Sequence, residues 1–506
     1  MDNENTHVIQ WLEENREDSY ISEVGSDKRL ASIFMVPITL KENDCIFTPQ
    51  AVSIGPYHFL KPHLAEMETE KSLIIVRAVV EKLPSDFFAP LQKIRDGGSL
   101  SDLQDDNFFG SAVLRCRDYY GDAQFLQNLD QEVFSRMLFR DASFLLLFLE
   151  HHVVNPQHKK KMLQPQQPSA SNNGDPFHDL KSGTGLWLGV MKDIFKLENQ
   201  IPLSTLESLY AFIGNPNQSF KAFLAKVCFE YSPLWIQPSE DADLVSNRHL
   251  LHCIHASVYR KPPVRAGQNP PSGQNPINGW SPFTWLKNNC VWDSGSNSDI
   301  NSKEGYTQLQ GKEVRLPNYR KTAVPCASEL RKAGVKFKRC EGGIEQIRFD
   351  KSQSTLYLPV LRIGQMTETI IRNLIAFELC TPKIEENAVI GFTRLLKELT
   401  QDAKDAEVLR TNEIFVSLGV SDDEIVEIVR NLSRLTWKPY FKPVKDVTKS
   451  LKTYYKGSKS KVLWSEFLET YCSKPWVFIS ALAATVLLVM TAVQVFCLFY
   501  TCNKNS

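Results

Sequence analysis

A mainly helical fold is what this sequence predicts: a large multi-helix domain with a small antiparallel β-meander and a single C-terminal transmembrane helix. Three observations carry that expectation. Apolar residues recur at three- and four-residue steps through most of the 506 residues, which is the spacing that lines one helix face. Strict alternation of apolar and charged residues, the mark of a half-buried strand, is confined to the stretch from Val335 to Val360. Near the C-terminus, Val477 to Tyr500 carries no formal charge and reaches the about 20 helical residues that a bilayer crossing takes.

The elements follow in order. Residues 1–32 form a polar, acidic N-terminal segment without the apolar run of a secretory signal. Ile33 to His58 reads as irregular, because Pro37, Pro49 and Pro56 each remove a donor and restrict the preceding residue. Helical patterning then covers His63–Leu83, a stretch near Ser111–Gln124, and Leu126–Val153, whose core is Phe144-Leu145-Leu146-Leu147-Phe148-Leu149. It resumes over Leu186–Leu197, Leu203–Ile213, Phe220–Phe229 and Ala242–Arg260. Pro, Gly, Asn, Gln and Ser mark loops at 155–178 and 261–321. Cys326–Lys332 is a helix stopped by Gly334, where a left-handed backbone costs little. Three short strands follow, and helices return over Thr367–Leu379, Ala388–Thr400, Ala403–Leu409 and Asp422–Leu435. The family-sized helical domain thus runs over 33–440, with a basic juxtamembrane helix at 441–473 (its helical pattern running from Asp446 to Tyr471), the span at 474–500 and a short tail at 501–506.

Trp476, Val477 and Tyr500 bound the span. So little chain follows it that the sequence reads as tail-anchored and single-pass. Lys442, Lys445, Lys449, Lys452, Lys456, Lys459 and Lys461 precede it, with few acids between them. That imbalance keeps the flank, and with it the large N-terminal domain, in the cytosol. The address is a membrane, either plasma membrane or endoplasmic reticulum. The stretch Lys442–Lys461 is a candidate contact for anionic lipid, at about 1 kcal/mol per basic residue near the surface. A solvated basic helix fits the same residues.

Composition excludes several functions. The 58 basic residues balance 58 acidic ones, so no global field attracts nucleic acid, and none is expected as a partner. The eleven cysteines are scattered and never spaced C-x-x-C, which fits reduced thiols and neither a disulfide framework nor a zinc site. His249, His252 and His255 lie near Cys253, but a regular helix points His249 and His255 apart, and no metal is assigned. No phosphate-binding glycine loop, nucleophile elbow or kinase signature occurs, so no catalytic residue and no cofactor is assigned.

One polar run stands out. Glu198-Asn199-Gln200 sits between apolar Leu197 and Ile201, just before Pro202. Such side chains can satisfy the free backbone groups at a helix junction. An acid/base couple of Glu198 with Asp141 is the catalytic alternative. Pro37, Gly55, Pro56, Tyr57, Asp141, Glu198, Asn199, Gln200, Pro202, Gly334, Asn373 and Glu378 are the candidate structural joints.

Several islands, in this order, resemble a plant family known as domain of unknown function 247. They are Ile33 to Pro37, Phe47-Thr48-Pro49, Val52 to His58, Met67 and Lys71, Asp141, Leu197 to Pro202, Glu329 to Phe337, Leu356 to Pro359, Arg372 to Glu378, and Lys474-Pro475-Trp476. The chain departs at Ala142-Ser143, where the family often has Gly-Cys. The resemblance implies a plant membrane protein with a mostly helical cytosolic domain and brings no catalytic residues with it. Some relatives are linked to self-incompatibility in grasses, which implies recognition. The combined expectation is a tail-anchored recognition or scaffold protein with an unidentified protein partner. A membrane-proximal enzyme of unrecognised mechanism and a lipid-sensing module are the alternatives.

Overall fold

The computed structural model describes residues 32–41, 44–80, 116–121, 126, 129–154, 177, 180, 184–214, 217–236, 244, 248–259, 324–381, 387–432, 441–468 and 475–504. The loops expected at 155–178 and 261–321 and the N-terminal segment 1–32 lie outside these residues, Phe177 and Ser32 apart.

Helices dominate. Pro62–Leu64 makes a 3₁₀ turn that leads into α1 (Ala65–Val80). The Leu- and Phe-rich run becomes α2 (Gln131–Leu149), which ends in a π-turn over Glu150–Val154. Its second half is buried all round, as a helix without a polar face must be. α1 packs along one side and α4 (Leu203–Ile213) along another; between them in sequence comes α3 (Thr184–Asp193). Phe148 anchors this layer, with its ring 4.6 Å from Trp187 and 5.9 Å from Phe177. α5 (Phe220–Tyr231) starts on Ser219, whose hydroxyl accepts from Ala222 N. α6 (Leu250–Tyr259) and α7 (Ala327–Lys332) follow.

The second half adds α8 (Thr367–Cys380), α9 (Ala388–Leu399), α10 (Ala403–Thr411) and α11 (Asp422–Leu432). α12 (Lys442–Gly457) and α13 (Lys459–Phe467) were expected as one helix. They break at Ser458, one residue after Gly457, a poor helix former. Buried apolar side chains from Ile33 to Leu451 form one continuous core.

The β region differs from the expected meander. β1 (Lys336–Cys340), β2 (Arg348–Asp350) and β3 (Thr355–Pro359) make a mixed sheet in the order β1-β3-β2. β2 and β3 are antiparallel neighbours, but β1 pairs with β3 in parallel. The reason lies between β1 and β2. That link is no tight turn but a 3₁₀ turn, Ile344–Gln346, with Ile344 and Ile347 buried. It carries the chain past the position where β3 later inserts. β4 (Leu361–Ile363) and β5 (Phe415–Ser417) form a further parallel pair that the sequence did not indicate.

The C-terminal expectation is corrected as well. Among the described residues no helix is long and apolar enough to cross a membrane. α14 runs from Pro475 to Lys504. The transmembrane helix bounded by Trp476, Val477 and Tyr500 is therefore not supported. The tail anchor, the single-pass topology and the membrane address inferred from it fall with that helix.

Candidate functional site

Among its described residues, the segment from Ser32 to His58 holds only a 3₁₀ turn, Ile38–Leu40, and one short helical turn, Asp44–Phe47. Most of it is nonetheless buried. Buried backbone N–H and C=O groups need partners, and here side chains from distant parts of the chain supply them.

Asp193 closes α3 and turns its carboxylate to three consecutive amides. Its Oδ2 accepts from Gln50 N at 2.9 Å, Ala51 N at 2.6 Å and Val52 N at 3.0 Å. Lys196 Nζ pairs with Asp193 Oδ1 at 2.7 Å and donates to the carbonyls of Cys45 and Thr48. Asn199 Oδ1 accepts from Ile54 N at 2.6 Å, while its Nδ2 donates to Val52 O and Asp193 O, each at 3.0 Å. Gly55 N reaches Asp141 Oδ2 at 2.9 Å, and Lys71 Nζ donates to Asp141 Oδ1 at 2.7 Å and to Ser53 O. Glu198 holds the two ends of the segment together. Its Oε1 accepts from Val36 N at 2.7 Å and pairs with Lys41 at 2.8 Å, and its Oε2 meets His58 Nε2 at 2.9 Å.

The remaining candidates surround this cluster. Pro37 precedes the 3₁₀ turn. Tyr57 donates to Ile33 O at 3.1 Å and sets its ring edge-on to Tyr120, 5.5 Å away; Pro56 is buried beside it. Gly55 has φ +82°, and a Cβ there would lie 2.6 Å from Gln200 O. Gln200 joins the turns after α3 to α6: its Nε2 donates to Ile194 O and Lys196 O, and its Oε1 accepts from Leu251 N in α6. Pro202 stands at the start of α4. Asn373, on α8, accepts from Leu197 N at 2.9 Å and donates to Ile46 O and Thr369 O.

Two candidates belong elsewhere. Gly334 follows α7 with φ +87°, where Val335 N bonds Leu330 O and Gly334 N bonds Arg331 O, the paired bonds of a Schellman stop. Glu378 caps α9, accepting from Val389 N at 2.8 Å and Ile390 N at 3.0 Å, and meets His255 Nε2 at 2.9 Å. The three histidines diverge: His249 Nε2 faces Ser32 O, and His252 Nδ1 accepts from Arg248 N.

Burial sets the electrostatics. Burial pushes the Glu198 carboxyl up, but hydrogen bonds from His58 and Lys41 outweigh it and hold the group below its ordinary value. For Asp141 burial wins: its pKa is raised despite Lys71, with Glu68 adding to the rise. Asp141 and Glu198 do not bond each other; each takes its own backbone amide and its own lysine. His58 Nδ1 is buried with no hydrogen-bond partner among the described residues. Lys41, Asp193 and Lys196 were missed by sequence reasoning. The available signal was Asp193 and Lys196 flanking apolar Ile194 and Phe195, directly before Glu198.

The sequence profile of a plant protein family of unknown function, DUF247, matches residues 33–490. A UPF0481 protein of Arabidopsis thaliana, At3g02645, is 26% identical over 538 aligned positions, covering 96% of this chain and 93% of the relative. A second UPF0481 protein of Arabidopsis thaliana, At3g47200, is 22% identical, covering 93% of this chain and 86% of the relative. No solved structure matches. With the match extending from the first buried residues of the Ser32–His58 segment, threaded through the body, into α14, the chain belongs to the DUF247 family of plant proteins.

Proposed function

We propose that this protein is a non-catalytic recognition or scaffold protein, and that its buried polar cluster is a structural joint. The observation that carries this reading is what Asp141 and Glu198 bind. Both are buried, and their oxygens take backbone amides of Gly55 and Val36 together with lysine ammonium groups. A general acid or base must reach a proton on a substrate. These carboxylates instead hold the chain's own backbone, at spacings of 86 and 162 residues. The consequence is a rigid helical body with its outer surface left for a protein partner.

The test is a pair of variants, Asp141→Asn and Glu198→Gln, assayed in plant cells for neighbours by proximity labelling and in vitro by melting. The scaffold reading expects neighbour capture to fall only in step with the loss of folded protein. A variant that melts like the wild type and keeps its neighbours, yet no longer supports the cellular role, would point to chemistry at the cluster.

A further inference from the structure

We propose that α12 and α13 form a docking surface for an anionic lipid leaflet, engaged from the side. The inference stands apart from the scaffold reading.

The surface is built by helical spacing. Lys442, Lys445, Lys449, Lys452 and Lys456 succeed one another at steps of three and four residues, so they share one face of α12. The opposite face is Val444, Val447 and Leu451, all buried against the body. The lysine stripe therefore points outward, and Lys442, Lys445, Lys449 and Lys456 are exposed. Between 442 and 468 seven lysines stand against two acids, Asp446 and Glu466.

α13 adds a different chemistry to the same sign of charge. It buries no side chain. Leu463 and Trp464 are 67% and 62% exposed, and Phe467 stacks on Trp464 at 5.7 Å. The fold also brings a second basic run to this place. Tyr454 donates to Ala333 O, Lys461 lies over the Tyr454 ring, and both approach Gly334. Arg331, Lys336 and Lys338 on either side of that turn are exposed. Among nearby acids, Glu329 is engaged in capping α7, and Glu413 pairs with Arg339.

The pairing of chemistries selects the partner. A soluble acidic polypeptide would answer the lysines but leave the exposed Leu463, Trp464 and Phe467 unused. The headgroup region of a bilayer takes both: phosphates and serine carboxylates meet the lysines, while aromatic and apolar side chains enter the acyl boundary.

The experiment uses the full chain with vesicles of phosphatidylcholine alone and of phosphatidylcholine with phosphatidylserine. Because α14 also exposes apolar side chains, the quantity read is the gain in binding that phosphatidylserine brings. The proposal expects a gain that shrinks with added salt and falls about five-fold per lysine neutralised. The combined variant Lys445→Glu, Lys449→Glu and Lys456→Glu should lose the gain while melting as the wild type does. Trp464→Ala with Phe467→Ala should weaken binding to phosphatidylserine vesicles and leave the salt dependence in place. Equal binding to both vesicle types, or a gain that survives the lysine reversal, overturns the proposal. So does polyglutamate binding as tightly as the phosphatidylserine vesicles, which would assign the face to an acidic polypeptide.

Discussion

Asn199 shows how much one carboxamide can hold. It serves one amide and two carbonyls, all buried, and bridges the threaded segment to the end of α3. Truncation leaves those groups without partners, which costs about 1–3 kcal/mol. Asn199→Ala should therefore lower the unfolding free energy by that much, read as a fall in denaturant midpoint at unchanged slope. His249 and His252, at the start of α6, carry a pH dependence. Burial lowers His252 to about 4, with His255 and Arg248 adding to the fall, and lowers His249 well below its ordinary value. A histidine with a depressed folded pKa stays neutral while its unfolded counterpart takes up a proton. Stability therefore falls as pH drops from about 6.5 toward 4, by at most about 1.4 kcal/mol per pH unit for each such group. His252→Gln keeps an acceptor for Arg248 N and should flatten the stability-against-pH curve in that window, as measured by urea titration at several pH values.

At the scale of elements, two glycines with similar backbones make different predictions. Gly334 has φ +87° but no atom closer than 3.7 Å to an added Cβ, so Gly334→Ala meets only the left-handed backbone penalty of about 1–2 kcal/mol. Gly55 has φ +82° and the Gln200 carbonyl 2.6 Å from that Cβ. Gly55→Ala must displace backbone and should lower the melting temperature well beyond the Gly334→Ala shift. The contrast also marks what was legible in the sequence. α4, α9 and α11 could be read because each carries an apolar stripe at helical period, α2 because of its apolar run from Phe144 to Leu149, and Gly334 because its position after Lys332 names the stop. The mixed sheet was not legible: alternation identifies strands β1 to β3, but nothing local says that β3 inserts between β1 and β2. Glu198, Asn199 and Gln200 were visible as a polar run in apolar surroundings. The backbone amides that Glu198 and Asn199 take were not, because Val36 lies 162 positions from Glu198 and Ile54 lies 145 from Asn199 and neither shares a pattern with them.

For the whole molecule, the threaded segment is part of the core and not an appendage. Ile33, Phe47, Val52 and Ile54 are fully buried within the same apolar cluster as α2 and α8, and the body's own polar side chains are aimed at this segment. A chain beginning after His58 should strip Asp141, Asp193, Glu198 and Asn199 of the backbone groups they hold at Val36 and from Gln50 to Gly55, and should give no cooperative unfolding transition in calorimetry. The C-terminal run taught the opposite lesson. Hydropathy alone suggested a bilayer span, and the lysine run was visible in the sequence; that the run faces outward from α12 while α13 leaves Leu463 and Trp464 exposed emerged only from the packing. The threading has a further consequence in time. During synthesis at about 5–20 residues per second, Val36 is added to the chain about 8–32 s before Glu198, 162 residues later. The carbonyl of Ile46 precedes Asn373 by 327 residues, a delay of about 16–65 s at the same rate. Throughout that interval a sticky, unpartnered strand of nascent chain needs a chaperone's shelter, and slowing translation should deepen that dependence.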